Sequence, residues 1–151
     1  MTKRELGENY FTQGYNCAQA VTLAFIDELK LDKETALKLI SGFGGGFGRM
    51  REVCGAVSGM IFVLNSFLGY SDASDDTKKM ELYKNVQIVM NKFKEMNGSY
   101  ICGELLGLTN KNCGYVPEKR TEEYYKKRPC NKLCGDACEI LEEFLKQNNL
   151  L

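Results

Sequence analysis

The chain has 151 residues, and its 20 basic and 20 acidic residues give a formal net charge of zero. This length allows a substantial core, and we expect a single domain over residues 1–151. The balanced charge argues against nucleic acid or a membrane surface as a partner. Because we find neither a long apolar run nor a signal-peptide core, we expect a cytoplasmic protein.

Cysteine and histidine usage narrows the chemistry. Cysteine occurs seven times, at positions 17, 54, 102, 113, 130, 134 and 138, and histidine is absent. The absence of histidine excludes Cys–His catalysis and imidazole ligands to zinc. In a cytoplasmic protein, seven cysteines indicate redox or metal chemistry rather than a framework of static disulfides. The odd number leaves at least one thiol outside any set of intramolecular pairs.

Apolar residues at helical spacing predict three helices in the first part of the chain. The predicted spans are residues 3–13, 17–30 and 32–40. Asn16 is expected to cap the second helix together with Gln19, three residues later, and Asp32 to cap the third. Cys17 then lies in the first turn of its helix, where the backbone favours a thiolate.

The glycine-rich segment 42–48 is expected to form a turn that leads into a buried helix ending near Gly69. Cys54 falls at or just inside the start of this helix, close to Arg49 and Arg51. Unpaired backbone N–H groups, the helix dipole and these arginines together predict a lowered pKa for Cys54.

Two other interpretations of the glycine-rich segment stay open. The small residues near Cys54 are also explained by a tight turn and by close approach of a neighbouring helix. A phosphate-binding loop is the second possibility, but neither common glycine pattern for such a loop is satisfied and no strand precedes it.

A long amphipathic helix is predicted from Thr77 to Met96, with Gly98 as its left-handed C-terminal residue. Its expected core stripe consists of Met80, Tyr83, Val86, Met90 and Phe93. A short helical turn at 99–107 carries Cys102. Residues 108–128 are predicted to be irregular, with Cys113 as an incidental exposed thiol.

The last helix is predicted from Cys130 to about Gln147, with Pro129 in its first turn. Cys130, Cys134 and Cys138 are spaced by four residues and therefore share one stripe of this helix. Free cysteine behaves as a small buried hydrophobe, which suffices to explain Cys134 and Cys138. Cys130 differs because it lies at a helix start. No strand or repeat is predicted, and the fold class is all-α, a bundle of roughly six or seven helices.

Four short motifs together resemble a known family. They are Asn-Cys-Ala-Gln-Ala at 16–20, Cys-Gly-Ala-Val-Ser-Gly at 54–59, Cys-Gly-Glu-Leu-Leu-Gly at 102–107, and Cys130 before the last helix. This combination, which extends over nearly the whole chain, resembles the redox-active proteins named for their C, GCAxxG, C, C cysteine pattern. The resemblance implies a small prokaryotic protein with four signature cysteines.

The signature positions carried over from the family are Cys17, Cys54, Cys102 and Cys130, with Cys134 as an alternative fourth member. A related domain occurs in split-Soret cytochromes together with an iron–sulfur cluster. The haem signature C-x-x-C-H is absent here, so the resemblance implies no haem.

Three hypotheses follow from these cysteines. The first is thiol–disulfide redox chemistry or electron transfer with a protein or a small-molecule oxidant or reductant, in which Cys54 is the activated thiolate. The second is an iron–sulfur or other metal centre with the four signature cysteines as ligands. The third is a helical binding or scaffold protein with buried thiols. The sequence does not decide whether the protein is an enzyme, and it does not reveal its oligomeric state.

Overall fold

The computed structural model describes residues 1–151, and it confirms the all-α fold class. Six helices have eight or more residues and three have four to six. Their bounds are α1 Lys3–Thr12, α2 Cys17–Ala24, α3 Lys33–Ile40, α4 Gly44–Phe47, α5 Gly55–Leu68, α6 Asp76–Asn97, α7 Cys102–Leu105, α8 Glu122–Lys127 and α9 Cys130–Gln147. None of these helices is both long and apolar enough to cross a membrane.

Helices α1, α2, α5 and α9 pack around the main hydrophobic core. The small residues of α5 allow a close approach to α2, as one interpretation of the glycine-rich region predicted. A Cβ at Gly59 would lie 2.7 Å from the Ala18 carbonyl oxygen, and one at Gly55 would lie 3.2 Å from the Cys17 Cβ. Any larger side chain here would push the two helices apart.

Side-chain caps fix where α2 and α3 begin. Asn16 and Gln19 form the predicted capping box of α2, and the Asp32 carboxylate accepts from the Thr35 N–H. Helix α2 ends at Ala24 rather than at Lys30, because the chain tightens into i→i−3 bonds after that residue.

The long helix α6 matches its predicted bounds to within one residue, and Gly98 adopts the expected left-handed conformation with φ +84°. The predicted core stripe is wrong for the first turns. Met80 is 63% exposed and Tyr83 is 51% exposed, whereas Phe93 is fully buried. The buried face of α6 therefore runs through Leu82, Val89 and Phe93, and Met80 and Tyr83 lie on its solvent side.

The segment 108–128 is not wholly irregular, because it contains α8. Thr121 caps this helix by accepting from the Tyr124 N–H. Arg120 fixes the segment to the bundle by donating to the carbonyl oxygens of Phe11 and Tyr15, each at 3.0 Å. These two bonds place α8 beside the end of α1.

Candidate functional site

A cavity of about 290 Å³ lies where α2, α5, α7 and α9 begin. All four signature cysteines line it: Cys17, Cys54, Cys102 and Cys130. Residues far apart in the sequence thus contribute thiols to one space. The alternative fourth member, Cys134, does not line this cavity.

A pair of backbone hydrogen bonds brings Cys54 and Cys102 together. Val53 and Ile101 form an isolated antiparallel β-bridge. The Cys54 N–H donates to the Tyr100 carbonyl at 2.8 Å, and the Cys102 N–H donates to the Glu52 carbonyl at 2.6 Å. No sequence pattern predicts this bridge, because it joins two single residues rather than two strands.

The glycine turn leaves space for the start of α7, which packs directly against it. Gly46 has φ +69°, in the left-handed region where glycine is favoured. A Cβ on Gly46 would lie 2.7 Å from the Cys102 Cβ. A glycine is therefore needed here both for its backbone conformation and for the space beside a signature cysteine.

The starts of α2 and α9 place Cys17 and Cys130 on the same cavity. The nearby Cys17 thiol, together with burial, raises the pKa of Cys130. The nearby Cys130 thiol acts to lower the pKa of Cys17, but Cys134 and burial outweigh it and raise that pKa. The thiolate expected at Cys17 from its helix-start position is therefore wrong for the reduced protein, in which both thiols are protonated at neutral pH.

The position of Cys54 is as predicted, but its predicted acidity is wrong. Cys54 is the N-cap of α5 and is only 4% exposed. Burial raises its pKa to about 12, because the nearby Ala56 and Val57 N–H groups offset only part of the lost hydration. The helix start does favour the thiolate, but removal from water is the larger effect.

The sequence predicted that Arg51 would act on Cys54, but it acts on Cys102 and Cys113 instead. Its guanidinium donates to the Cys102 Sγ at 3.6 Å. The pKa of Cys102 is nevertheless raised, because burial outweighs the attraction of the guanidinium. Arg51 itself is only 6% exposed.

Cys113 is more than the incidental thiol that the sequence suggested. It is partly exposed, and the nearby Arg51 guanidinium lowers the pKa of Cys113 despite an opposing effect of burial, with a further contribution from Arg49. The local sequence around Cys113 does not predict this lowered pKa, because both arginines lie just after the glycine turn, far from Cys113 in the sequence. Among the seven cysteines it is the one whose pKa is clearly lowered.

Cys134 and Cys138 are fully buried, as predicted for small hydrophobes. Cys138 packs against α1, where a Cβ on Gly7 would lie 2.6 Å from its sulfur. Cys134 does not point away from the site as completely as Cys138, because its thiol donates to the Cys17 carbonyl at 3.8 Å. Cys134 therefore packs against the backbone of Cys17 without lining the cavity.

The four signature thiols suit an iron–sulfur cluster better than a single zinc ion. No group of three or more cysteine, aspartate or glutamate side chains is placed to hold a metal ion. A single zinc ion, with bonds of roughly 2.3 Å to sulfur, therefore does not fit these residues. An iron–sulfur cluster is several atoms wide and takes four cysteine thiolates, so four thiols around one cavity are chemically suited to it.

Comparison with known proteins agrees with the cysteine pattern. Residues 15–144 match the family described as "Putative redox-active protein (C_GCAxxG_C_C)". The chain belongs to this family. All four cysteines that line the cavity fall within the matched residues, and the resemblance inferred from the sequence is confirmed.

An "Uncharacterized protein" of Archaeoglobus fulgidus is 27% identical to the chain over 140 residues, covering 87% of this chain and 85% of the relative. No solved structure matches the chain.

Proposed function

We propose that the protein carries out thiol–disulfide exchange, with Cys17 and Cys130 as the reacting pair. The observation that carries this proposal is that the starts of α2 and α9 place both thiols on one cavity that all four signature cysteines line. Cys54 and Cys102 line the same cavity. The partner is a disulfide, of a protein or a small molecule, that reaches the cavity.

The reaction needs no further reductant or oxidant. One of the two thiols loses its proton and attacks a disulfide R–S–S–R, forming a mixed disulfide and releasing RS⁻, which takes up that proton. The second thiol then attacks the cysteine sulfur of the mixed disulfide, releasing the second RSH. Two electrons pass to the substrate, and the protein retains a Cys17–Cys130 disulfide.

The test is a redox titration. The protein is equilibrated in buffers of reduced and oxidised dithiothreitol, and its free thiols are counted after acid quenching and alkylation. We expect one reversible loss of two thiols in the wild-type protein and in the control variant Cys138→Ser. The transition should be absent from both Cys17→Ser and Cys130→Ser. A transition that survives in these two variants contradicts the proposal.

A second candidate is electron transfer through an iron–sulfur cluster. It is favoured by the four arginines in the cavity wall, Arg49, Arg51, Arg120 and Arg128, since positive charge offsets that of a cluster with four thiolates. Here the signature cysteines would hold the cluster, which would supply one-electron chemistry, and the arginines would balance its charge.

Anaerobic purification separates the two candidates. Visible absorbance with stoichiometric iron and sulfide would support the cluster, and their loss in Cys54→Ser and Cys102→Ser would assign its ligands. A colourless, metal-free protein that undergoes the two-thiol transition supports thiol exchange. A protein with neither property fits the scaffold hypothesis.

A further inference from the structure

The cavity that the thiols line is rich in positive charge. Arginines 49, 51, 120 and 128 line it, whereas Glu118 is the one carboxylate among the lining residues. This imbalance contrasts with the zero net charge of the whole chain. The positive charge is thus concentrated at the site that contains the signature cysteines.

Two of these arginines already have partners within the protein. Arg120 donates to the carbonyl oxygens of Phe11 and Tyr15, and its guanidinium lies 4.2 Å from the centre of the Phe11 ring. Arg128 forms an ion pair with Glu118. These contacts explain both side chains as parts of the fold.

Arg49 and Arg51 are not explained in this way. Arg51 is 94% buried yet pairs with no carboxylate; its guanidinium donates to the thiol of Cys102 and lies near that of Cys113. Arg49 reaches only Glu118, at 3.9 Å, a carboxylate that Arg128 already holds. The Nε atoms of both arginines are buried without a hydrogen-bond partner. Burying a cation without a carboxylate partner is costly, so these two guanidinium groups are suited to pair with an anion in the cavity.

The backbone adds an independent observation. Arg49 has φ +71° and Arg51 has φ +61°, in the left-handed region that non-glycine residues rarely adopt. The bond from the Arg51 N–H to the Gly45 carbonyl at 3.2 Å helps to hold this conformation. Strained residues persist where the surrounding structure imposes them, and they cluster at ligand sites. Here the strained segment contributes both unpaired guanidinium groups to the cavity.

The thiols do not balance this positive charge. Cys102, beside Arg51, carries a thiol that is neutral at pH 7 in ordinary surroundings. Cys113 supplies at most one negative charge, from a partly exposed position. With Glu118 and an ionised Cys113 both counted, positive charge remains in excess.

We propose that Arg49 and Arg51 bind the carboxylate of a small anionic disulfide and hold its sulfur atoms beside the signature cysteines. This inference rests on the proposed thiol exchange and specifies its substrate class. Arginine suits this role, because its planar group pairs with a carboxylate through two parallel hydrogen bonds. The cavity volume, about 290 Å³, is at the lower end of the range for ligand sites, which favours a small molecule.

The first test measures binding without any redox step. Adipate is the probe, because it has the length of dithiodiglycolate with two methylene groups in place of the disulfide. Isothermal titration calorimetry on the reduced protein compares wild type with Arg51→Gln, Arg49→Gln and the exposed-surface control Lys119→Gln. We expect wild type and Lys119→Gln to bind adipate, and both arginine variants to bind it about tenfold or more weakly. Arg51→Lys, which keeps the charge, should retain part of the affinity.

The matched neutral probe is 1,6-hexanediol, which should not bind. Circular dichroism establishes that each variant is folded. Equal affinity for adipate in wild type, Arg51→Gln and Arg49→Gln would overturn the proposal, as would a failure of the wild-type protein to bind adipate.

The second test uses the reaction. The reduced protein is mixed with dithiodiglycolate or with the neutral bis(2-hydroxyethyl) disulfide, and each rate is divided by the rate with free dithiothreitol. We expect a preference of about tenfold or more for the anionic disulfide, and its loss in Arg51→Gln.

The two tests separate the two proposals. Reduction of both disulfides at equal normalised rates, without adipate binding, overturns the anion site and leaves thiol exchange standing. Arginine-dependent adipate binding without reduction of either disulfide overturns thiol exchange and supports the anion site.

Discussion

Cys130 and Cys138 lie two turns apart on one stripe of α9, yet their surroundings differ. Cys130 lines the cavity together with Cys17, whereas Cys138 is fully enclosed and packs against α1 at Gly7. Burial raises the pKa of both thiols, so acidity does not distinguish them. What distinguishes them is a neighbouring thiol and an opening. Under the proposed function, the role of a thiol on this helix depends on whether it lies at the helix start, because that is where other chain segments meet the helix.

The largest expected effect concerns the packing of Cys138. The Cβ of an alanine at position 7 would lie 2.6 Å from the Cys138 sulfur, which is too close. We therefore expect Gly7→Ala to lower the free energy of unfolding by about 2 kcal/mol. The measurement is urea denaturation. Gly42→Ala is the control, because nothing lies within 4 Å of a Cβ there.

The double variant Gly7→Ala/Cys138→Ala sharpens this prediction. Removing the sulfur relieves the clash, so the double variant should lose less stability than the sum of the two single variants. Additive losses would mean that Cys138 does not fill the space beside Gly7, and the packing half of the comparison would fail.

The next prediction compares Cys138 and Cys130, two positions on the same helix, by the loss of stability and the loss of redox activity that a serine causes at each. Cys138→Ser buries a hydroxyl in apolar surroundings, and we expect it to lower the free energy of unfolding by about 1–2 kcal/mol. It should leave the two-thiol transition unchanged. Cys130→Ser faces the cavity, so it should cost less stability and abolish that transition. The same pattern of losses in both variants would remove the distinction between the two positions.

Much of this fold could be predicted from the sequence, because its signals are local. The caps at Asn16 and Asp32 and the left-handed Gly98 mark helix ends wherever they occur. The exposure of Met80 and Tyr83 could not be predicted in this way. The apolar residues of α6 allow more than one stripe, and the packing of the whole fold buries Leu82 rather than these two residues.

The site was only partly predictable for the same reason. The helix-start positions of Cys17, Cys54 and Cys130 follow from local patterns, but their raised pKa values follow from burial, which depends on the whole fold. The contact of Arg51 with Cys102 and Cys113 joins three distant segments. It was missed because no local pattern encodes it.

The smallest expected effect concerns the reactivity of Cys113 relative to the buried thiols. The thiolate is the reactive form, and the pKa of Cys113 is lowered whereas that of Cys54 is about 12. Alkylation of Cys113 should therefore be the fastest at pH 7 and should level off at a lower pH than that of a free thiol. Cys54 should react only as the pH becomes strongly alkaline.

The variant Arg51→Gln tests the cause of this difference. Its loss of positive charge should move the alkylation profile of Cys113 to higher pH and slow its reaction at pH 7 several-fold. Mass spectrometry of the alkylated peptides gives each rate. Faster alkylation of Cys54 than of Cys113 in the wild-type protein would restore the helix-start argument that the structure contradicts.

The most direct test of the central claim is to identify which cysteines become linked on oxidation. The reduced protein is oxidised at low concentration with oxidised dithiothreitol, its free thiols are alkylated, and its peptides are mapped by mass spectrometry. The account predicts one intramolecular disulfide, between Cys17 and Cys130, with Cys138 alkylated only after unfolding. Oxidised protein in which Cys17 and Cys130 both remain free thiols, or in which Cys138 is the linked residue, would contradict it.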